Sequence, residues 1–403
     1  MSPRLTTLRH LVAFAIAAVT LLLAVWIVLP APTYFFLTYS VGAVEVSAWL
    51  ALASLVSLAL VWPDARVRGA PRLAAAAFNC SIAALALALS PYVRIPFAVR
   101  RFEREMNSAL GGDPLRDVPD SARAKLRAHP LIISELFTGI KHASVSVTRG
   151  IRVAAPAGIQ LTADISRPIA RGLYPIVVQV YGGAWQRGSP ASNEDYAQWL
   201  ASLGYVVIAI DYRHAPAFHF PAQLEDIRED LAWIRDHAAE YDGDTSRVAF
   251  LGRSAGGHLA MLAAYTPGPI TPKAVVSLYG GIDLKNGYEH PPRPDPLNIP
   301  DVTFKLIGGT PEQFPDLYRE GTVFTYAAHK QPPSLLIYSG RDNLVEAKYG
   351  AQLRDSLAAS GSTVAYLEIP WANHAFDEVL NGPSDQLAMY YTERFLAWAL
   401  ARK

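Results

Sequence analysis

The five residues from Gly252 to Gly256 read G-R-S-A-G and place Ser254 in the middle of a glycine-flanked turn. Residues 248–251 before it form an apolar run typical of a buried strand, and residues 258–263 after it are typical of a helix. A serine at such a strand-to-helix turn is held in strained geometry, and the glycines leave room for neighbouring backbone. The pattern predicts a nucleophilic serine, although a glycine-rich turn with an incidental serine would give the same five letters.

A serine hydroxyl becomes a good nucleophile only when a base takes its proton, and that base needs an orienting carboxylate. Asp342 and His374 each follow a later apolar segment, in the stretches S-G-R-D-N-L-V and P-W-A-N-H-A-F. The chain order Ser, Asp, His is the one expected when such groups gather at the carboxyl ends of parallel strands. We therefore predict that Ser254, Asp342 and His374 act as nucleophile, acid and base.

Several further histidine and aspartate residues could compete for these roles. His258 lies on the helix that follows the serine, and we expect it to be structural. Asp283 also follows an apolar segment and is the alternative acid. Asp211, in the stretch I-D-Y-R-H-A-P, is expected to hold its own loop, and His214 in the same stretch is a candidate pocket residue.

A second glycine-containing turn follows the apolar stretch V-V-Q-V and reads Y-G-G-A-W. Backbone N–H groups aimed at a developing negative charge are usually the largest contribution to acyl-transfer catalysis. Gly183 and Ala184 are candidate donors here, and Ala255, directly after the serine, is a third. Tyr181 and Trp185 flank the turn and are candidate substrate-pocket residues. A plain glycine turn would be the alternative interpretation.

Short apolar segments alternate with helical segments over residues 143–403, which predicts a mostly parallel sheet with helices on both faces. The predicted strands after the first two are 175–180, 205–210, 247–251, 274–278, 334–338 and 365–369. The irregular, proline-rich residues 283–331 are predicted to be a variable segment that supplies part of the substrate pocket.

The first 95 residues have a different character, with three nearly uncharged apolar runs at about 11–29, 44–62 and 73–93. Each run is long enough to cross a bilayer core, so we predict three transmembrane helices. A cleaved signal peptide is disfavoured because the first run ends in V-W-I-V-L-P, without a small-residue cleavage site. Glu45 is the one acidic residue in the second run, and we expect it to lie near the membrane surface.

The positive-inside rule sets the predicted orientation. Arginines precede the first run and separate the second from the third: Arg4, Arg9, Arg66, Arg68 and Arg72. Three crossings then place residues from 94 onward outside the cytoplasm, although a group of arginines just after residue 93 opposes this orientation. Residues 96–142 are predicted to be a linker with surface helices at 97–110 and 121–137.

Composition excludes several classes of function. The 403 residues carry a net charge of +1 and contain no basic run, which argues against a nucleic-acid partner. No spacing of histidine, cysteine and acidic residues suggests a metal, and no cofactor is implied. Cys80 is the single cysteine, so no intrachain disulfide can form.

Taken together, these motifs resemble the α/β-hydrolase superfamily, and more narrowly the hormone-sensitive-lipase-like esterases and the related group with an H-G-G-x-W motif. The resemblance covers about 145–403 and rests on residues 181–185, 210–213, 215–216, 220–222, 241–247, 252–257, 340–342 and 373–376. It implies serine esterase chemistry with the roles assigned above. Two positions depart from the family pattern, because Tyr181 replaces the usual histidine and Arg253 stands where an acidic or small residue is commoner.

The sequence therefore predicts a membrane-anchored serine carboxylesterase or lipase that acts on a small-molecule or lipid ester. An amidase or formamidase would use the same residues. A catalytically silent hydrolase-like binding domain is a third possibility, which the presence of all three triad residues disfavours.

Overall fold

The N-terminal part of the chain is helical in this computed structural model, which describes residues 3–66 and 70–401. Up to residue 110 the described residues form four helices, α1 (Pro3–Ala24), α2 (Tyr34–Glu45), α3 (Ser47–Ala65) and α4 (Arg72–Leu110). Within the part of the chain that the structure describes, three segments are long and apolar enough to cross a membrane: Pro3–Ile27, Ser47–Ala65 and Arg72–Leu110. Helices α1, α3 and α4 pack against one another, and Asp64 pairs with Arg9 and His10 at one end of this bundle. Arg68, one of the arginines used to predict the orientation in the membrane, lies outside the described residues.

Two details of the predicted N-terminal organisation are wrong. The residues before α3 form a separate helix, α2, which ends at Glu45, so the second candidate span begins at Ser47 rather than at residue 44. The predicted surface helix at 97–110 is instead the last part of α4, which continues through Pro91 and Pro96 without a break. Transmembrane helices tolerate proline because neighbouring groups form hydrogen bonds with the backbone carbonyl that proline leaves without a partner.

The remaining linker also differs from the prediction. Instead of a helix over 121–137, it contains two single-turn helices, α5 (Asp120–Arg123) and α6 (Glu135–Thr138). Buried Arg127 donates hydrogen bonds to Glu135 and to Gln386 of the C-terminal helix. Arg127 therefore ties this segment to the C-terminal helix of the chain.

The described residues after 142 form a C-terminal domain built on one eight-stranded sheet in the order β1-β2-β4-β3-β5-β6-β7-β8. The strands are β1 (Val145–Ala154), β2 (Leu161–Pro168), β3 (Tyr174–Val180), β4 (Val206–Ile210), β5 (Gly243–Arg253), β6 (Ala274–Leu278), β7 (Ser334–Ser339) and β8 (Val364–Ile369). The β1–β2 and β2–β4 pairs are antiparallel, and all the others are parallel. The carboxyl ends of β3 to β8 therefore meet along one edge.

Helices cover both faces of the sheet, which explains why the central strands are apolar on both sides. The helices of this domain are α7 (Glu194–Leu203), α8 (Ala222–His237), α9 (Ala255–Tyr265), α10 (Leu284–Glu289), α11 (Ile299–Ile307), α12 (Pro315–Glu320), α13 (Ala347–Ala359) and α14 (Pro383–Ala401). Short 3₁₀ turns lie at Val25–Ile27, Pro156–Gly158, Ala238–Tyr241, Val323–Tyr326 and Phe376–Glu378. Helices α8, α9 and α13 pack on one face, and α7, α14 and the end of α4 pack on the other. The predicted sheet with helices on both faces is confirmed.

Candidate active site

The turn between β5 and α9 holds Ser254 at φ 51° and ψ −120°, a conformation that non-glycine residues rarely adopt. Its two flanking glycines have no room for a side chain. A Cβ on Gly252 would lie 2.1 Å from the carbonyl oxygen of Gly256, and one on Gly256 would lie 2.2 Å from that of Val180. Close packing between strand and helix therefore keeps the turn tight and the serine at its tip.

Ser254, His374 and Asp342 form a continuous hydrogen-bonded chain. His374 Nε2 lies 2.8 Å from Ser254 Oγ, and His374 Nδ1 lies 2.7 Å from Asp342 Oδ2. The other oxygen of Asp342 accepts hydrogen bonds from the N–H groups of Leu344 and Val345, at 2.8 and 2.9 Å. Because the carboxylate holds the proton of His374 on Nδ1, the Nε2 lone pair faces the serine hydroxyl. This geometry suits proton transfer from Ser254 to His374.

The two alternative residues have other partners. His258 is fully buried and lies between Trp185 Nε1, which donates to its Nδ1 at 3.3 Å, and the carbonyl oxygen of Gly321, 2.6 Å from its Nε2. Burial lowers the pKa of His258 to about 4, so this ring is neutral and structural. Asp283 caps the start of α10 by accepting a hydrogen bond from the N–H of Asn286 at 3.0 Å.

The glycine turn after β3 lies directly against the nucleophile. Gly183, Ala184 and Trp185 all have positive φ angles, at 134°, 56° and 60°. A Cβ on Gly182 would lie 3.1 Å from the Cβ of Ser254. Among the described residues, the N–H groups of Gly183 and Ala184 have no hydrogen-bond acceptor. They are therefore available to a ligand beside the serine.

Two of the three predicted pocket residues lie elsewhere. Tyr181 is buried behind the glycine turn, where its hydroxyl donates to Asp211 at 2.6 Å and its ring stacks on Tyr212 at 4.5 Å. His214 Nε2 lies 2.9 Å from the same hydroxyl, and burial lowers the pKa of this imidazole. Both side chains support the glycine turn, and neither lines the two cavities beside Ser254. Trp185, the third predicted pocket residue, lines one of these cavities.

Two cavities meet at Ser254 and His374. The first, here called the inner pocket, is mainly apolar and has a volume of about 740 Å³ counted to its open mouth. It is lined by Trp185 and by residues of α10 and α11, within the predicted variable segment 283–331. The second, here called the α2 groove, is about twice as large, at about 1600 Å³ counted to its open mouth. One wall of it is helix α2.

Arg253 points away from the serine into a buried ion pair that sequence reasoning did not find. Its Nε donates to Asp377, whose other oxygen accepts from the Tyr279 hydroxyl. The guanidinium also lies 4.2 Å from the ring of Tyr196. Burial lowers the pKa of Arg253, but the combined effects of Asp377, Tyr196 and Tyr279 raise it above its ordinary value. The pair joins the nucleophile strand to the loop that carries His374.

Helix α2 docks beside the triad through contacts that the sequence also did not reveal. Asn373 donates from Nδ2 to Ser40 Oγ at 2.6 Å, directly before His374. The carboxylate of Glu45 accepts from the N–H of Ser384 at 3.0 Å. Glu45 is buried, and this burial raises its pKa to about 8. The N-terminal segment is therefore tied to the loop that carries the base.

Comparison with known proteins agrees with this architecture. The BD-FAE family model matches residues 163–357. A probable carboxylic ester hydrolase, LipM, of Mycobacterium tuberculosis is 30% identical over 236 residues, which cover 56% of this chain and 54% of LipM. Esterase LipC of the same organism is 32% identical over 219 residues, covering 50% of this chain and 53% of LipC. The chain thus spans about half the length of these curated relatives.

Solved structures show a similar fold over a larger part of the chain than the family model matches. A bacterial heroin esterase superposes with a TM-score of 0.56 at 20% identity, covering 72% of this chain and 99% of that one. An esterase of Pyrobaculum calidifontis gives 0.57 at 20% identity, covering 74% and 93%. At this identity the likeness concerns the fold. The chain has an α/β-hydrolase fold, and the part of it that carries the sheet is similar to the hormone-sensitive-lipase-like carboxylesterases.

Proposed function

We propose that this protein is a membrane-anchored serine carboxylesterase that hydrolyses esters through an acyl-enzyme on Ser254. The observation that carries the proposal is the hydrogen-bonded chain from Ser254 Oγ through His374 to Asp342, with distances of 2.8 and 2.7 Å. The esterase names of the relatives support the same chemistry.

In this mechanism Ser254 Oγ attacks the ester carbonyl while His374 Nε2 takes its proton. The N–H groups of Gly183, Ala184 and Ala255 stabilise the oxyanion of the tetrahedral intermediate. The intermediate collapses, the bond to the alcohol oxygen breaks, and His374 protonates the departing alcohol. Water then attacks the acyl-enzyme with His374 as base, which releases the carboxylic acid and restores the serine.

The N-terminal helices support the anchoring part of the proposal. Three segments have the length and apolar character of membrane spans. The pairing of Asp64 with Arg9 and His10 holds the first part of α1 beside the end of α3, at one end of the bundle. At the other end, Arg341 beside the acid donates to the carbonyl oxygen of Val28 after α1. With arginines inside, the catalytic domain is extracytoplasmic.

The test of catalysis is hydrolysis of p-nitrophenyl butyrate by the full chain in detergent micelles. Ser254→Ala is expected to lower kcat at least about a thousandfold, because the remaining groups of such a site give little turnover. Ser246→Ala, at an exposed serine of the same strand, is the matched control and should retain activity. Activity that survives Ser254→Ala would refute the mechanism, and faster cleavage of p-nitrobutyranilide than of the ester would make the protein an amidase.

The test of orientation is a reporter that is active only outside the cytoplasm, fused after residue 110, where α4 ends. An active reporter is expected. A cytoplasmic signal would contradict the proposed side of the membrane.

A further inference from the structure

One wall of the groove at Ser254 comes from the N-terminal segment rather than from the catalytic domain. Leu37, Thr38 and Val41 of α2 line it on one side. The glycine turn and the loop after His374 line it on the other, and Ser254 lies at its base. A substrate lying in this groove would therefore contact α2.

Helix α2 is held in this position by hydrogen bonds to two segments beside Ser254, the one that follows the glycine turn and the loop that carries His374. Arg187 Nη2 donates to the hydroxyl of Tyr34, at the start of α2, at 2.7 Å. The carbonyl of Arg187 packs so closely on Gly183 that a Cβ there would lie 2.0 Å from its oxygen. At the next turns of the helix, Ser40 is bonded to Asn373 beside the base. Helix α2 thus bridges the candidate oxyanion turn and the base loop across the groove.

The position of the base indicates which part of an ester enters the groove. His374 must protonate the departing alcohol, so the alcohol leaves on the side of the base. The groove continues along the base loop past Ala375, Glu378 and Val379, whereas the inner pocket does not contain these residues. The smaller inner pocket suits the acyl group, and the groove suits the alcohol group.

The surroundings of α2 indicate the chemistry of that alcohol group. Residues 30–44 carry no charged side chain, and α2 connects two of the candidate spans. Its outward face exposes aromatic rings, with Phe35 66% and Tyr39 41% exposed. Aromatic side chains of this kind favour the membrane–water interface. The groove therefore opens where apolar molecules of the bilayer are concentrated.

We propose that α2 is part of the substrate-binding site and selects esters with a long, mainly apolar alcohol moiety that partitions into the membrane. This inference rests on the proposed esterase activity and adds the substrate class. It also makes the membrane segment a determinant of specificity in addition to an anchor.

The experiment varies the alcohol while the acyl group stays constant. The full chain, reconstituted in phosphatidylcholine vesicles, is assayed with ethyl, hexyl and dodecyl butyrate. For the wild type, kcat/KM should rise at least tenfold from ethyl to dodecyl butyrate. Val41→Trp fills the groove and should lower the dodecyl-to-ethyl ratio of kcat/KM at least tenfold. Phe35→Trp adds bulk to the outward face of the same helix and should leave that ratio unchanged.

Further readouts separate the possible failures. Labelling of Ser254 by a small phosphonate reports whether each variant is folded and has a working nucleophile. If Val41→Trp does not fold, Val41→Ala should instead raise KM for dodecyl butyrate severalfold, because apolar contact is lost. An unchanged ratio in the folded variants, or no preference of the wild type for longer alcohols, overturns the inference about α2. Absence of both labelling and ester hydrolysis in the wild type would instead overturn the proposed function.

Discussion

Replacing Arg253 by methionine should destabilise the catalytic domain without touching any reacting atom. The side chains of Arg253 and Asp377 are 3% and 0% exposed, so the variant leaves a buried carboxylate without its cation. Loss of one partner of a buried pair costs about 3–5 kcal/mol. Since Asp377 keeps the hydrogen bond from Tyr279, we expect about 3 kcal/mol. For a domain of this size, that corresponds to a fall in Tm of roughly 6–12 °C.

The assay is thermal unfolding of the full chain in detergent, followed by intrinsic fluorescence, together with ester hydrolysis well below Tm. The double variant Arg253→Met with Asp377→Asn removes the charge as well as its partner, so it should regain most of the lost Tm. Lys285→Met, which breaks an exposed pair with Glu289, is the control and should shift Tm by less than about 2 °C. The Arg253–Asp377 pair does not stabilise the fold as stated if Arg253→Met shifts Tm no more than this control, or if the double variant is no more stable than the single one.

Three other predictions follow from the same structure. A methyl group at Gly256 would collide with the carbonyl oxygens of Val180 and Tyr181, so Gly256→Ala should lower both Tm and kcat/KM. Gly268→Ala is the control, because nothing lies within 4 Å of a Cβ at that position, and it should change neither quantity in the same assays. Asp342→Asn keeps the shape of the site but favours the wrong tautomer of His374. The variant should therefore lower kcat about a thousandfold or more, while Tm changes little. An unchanged kcat would exclude Asp342 as the acid. Burial raises the pKa of Glu45 from 4.5 to about 8, so its contribution to folded stability is complete below pH 4.5 and is lost as the pH rises to 8. Glu45→Gln should therefore show a smaller fall in Tm between pH 5 and pH 8 than the wild type, and equal falls would contradict this.

The three triad residues could be predicted to lie together because each one belongs to a short sequence pattern that can be recognised on its own. Ser254 lies in a five-residue motif whose glycines are required by close backbone contacts, and Asp342 and His374 directly follow apolar strands. Parallel strands bring their carboxyl ends to one edge, so the position of each residue along the chain is enough to place it. The roles of these residues stay predictions until the variants are measured.

The surroundings of the site could not be predicted, because they depend on pairs of residues that are distant in the chain. Arg253 and Asp377 are separated by 124 positions, and no periodicity connects them. Tyr181 stands at the first position of the glycine-turn motif and was predicted to line the pocket, but its hydroxyl is used by Asp211 in the core. Nothing in residues 34–45 indicates that this apolar helix lies over a catalytic groove. Apolar patterns predict that a helix is buried, but they do not identify what covers it.

The most direct test of the central claim is covalent labelling of the active full chain with a fluorophosphonate, followed by peptide mass spectrometry. We expect one phosphonyl group, attached to Ser254, and a loss of ester hydrolysis in proportion to labelling. Ser254→Ala should take up no label and hydrolyse no ester. A label on another residue, or hydrolysis that persists in Ser254→Ala, would contradict the assignment of Ser254 as the nucleophile.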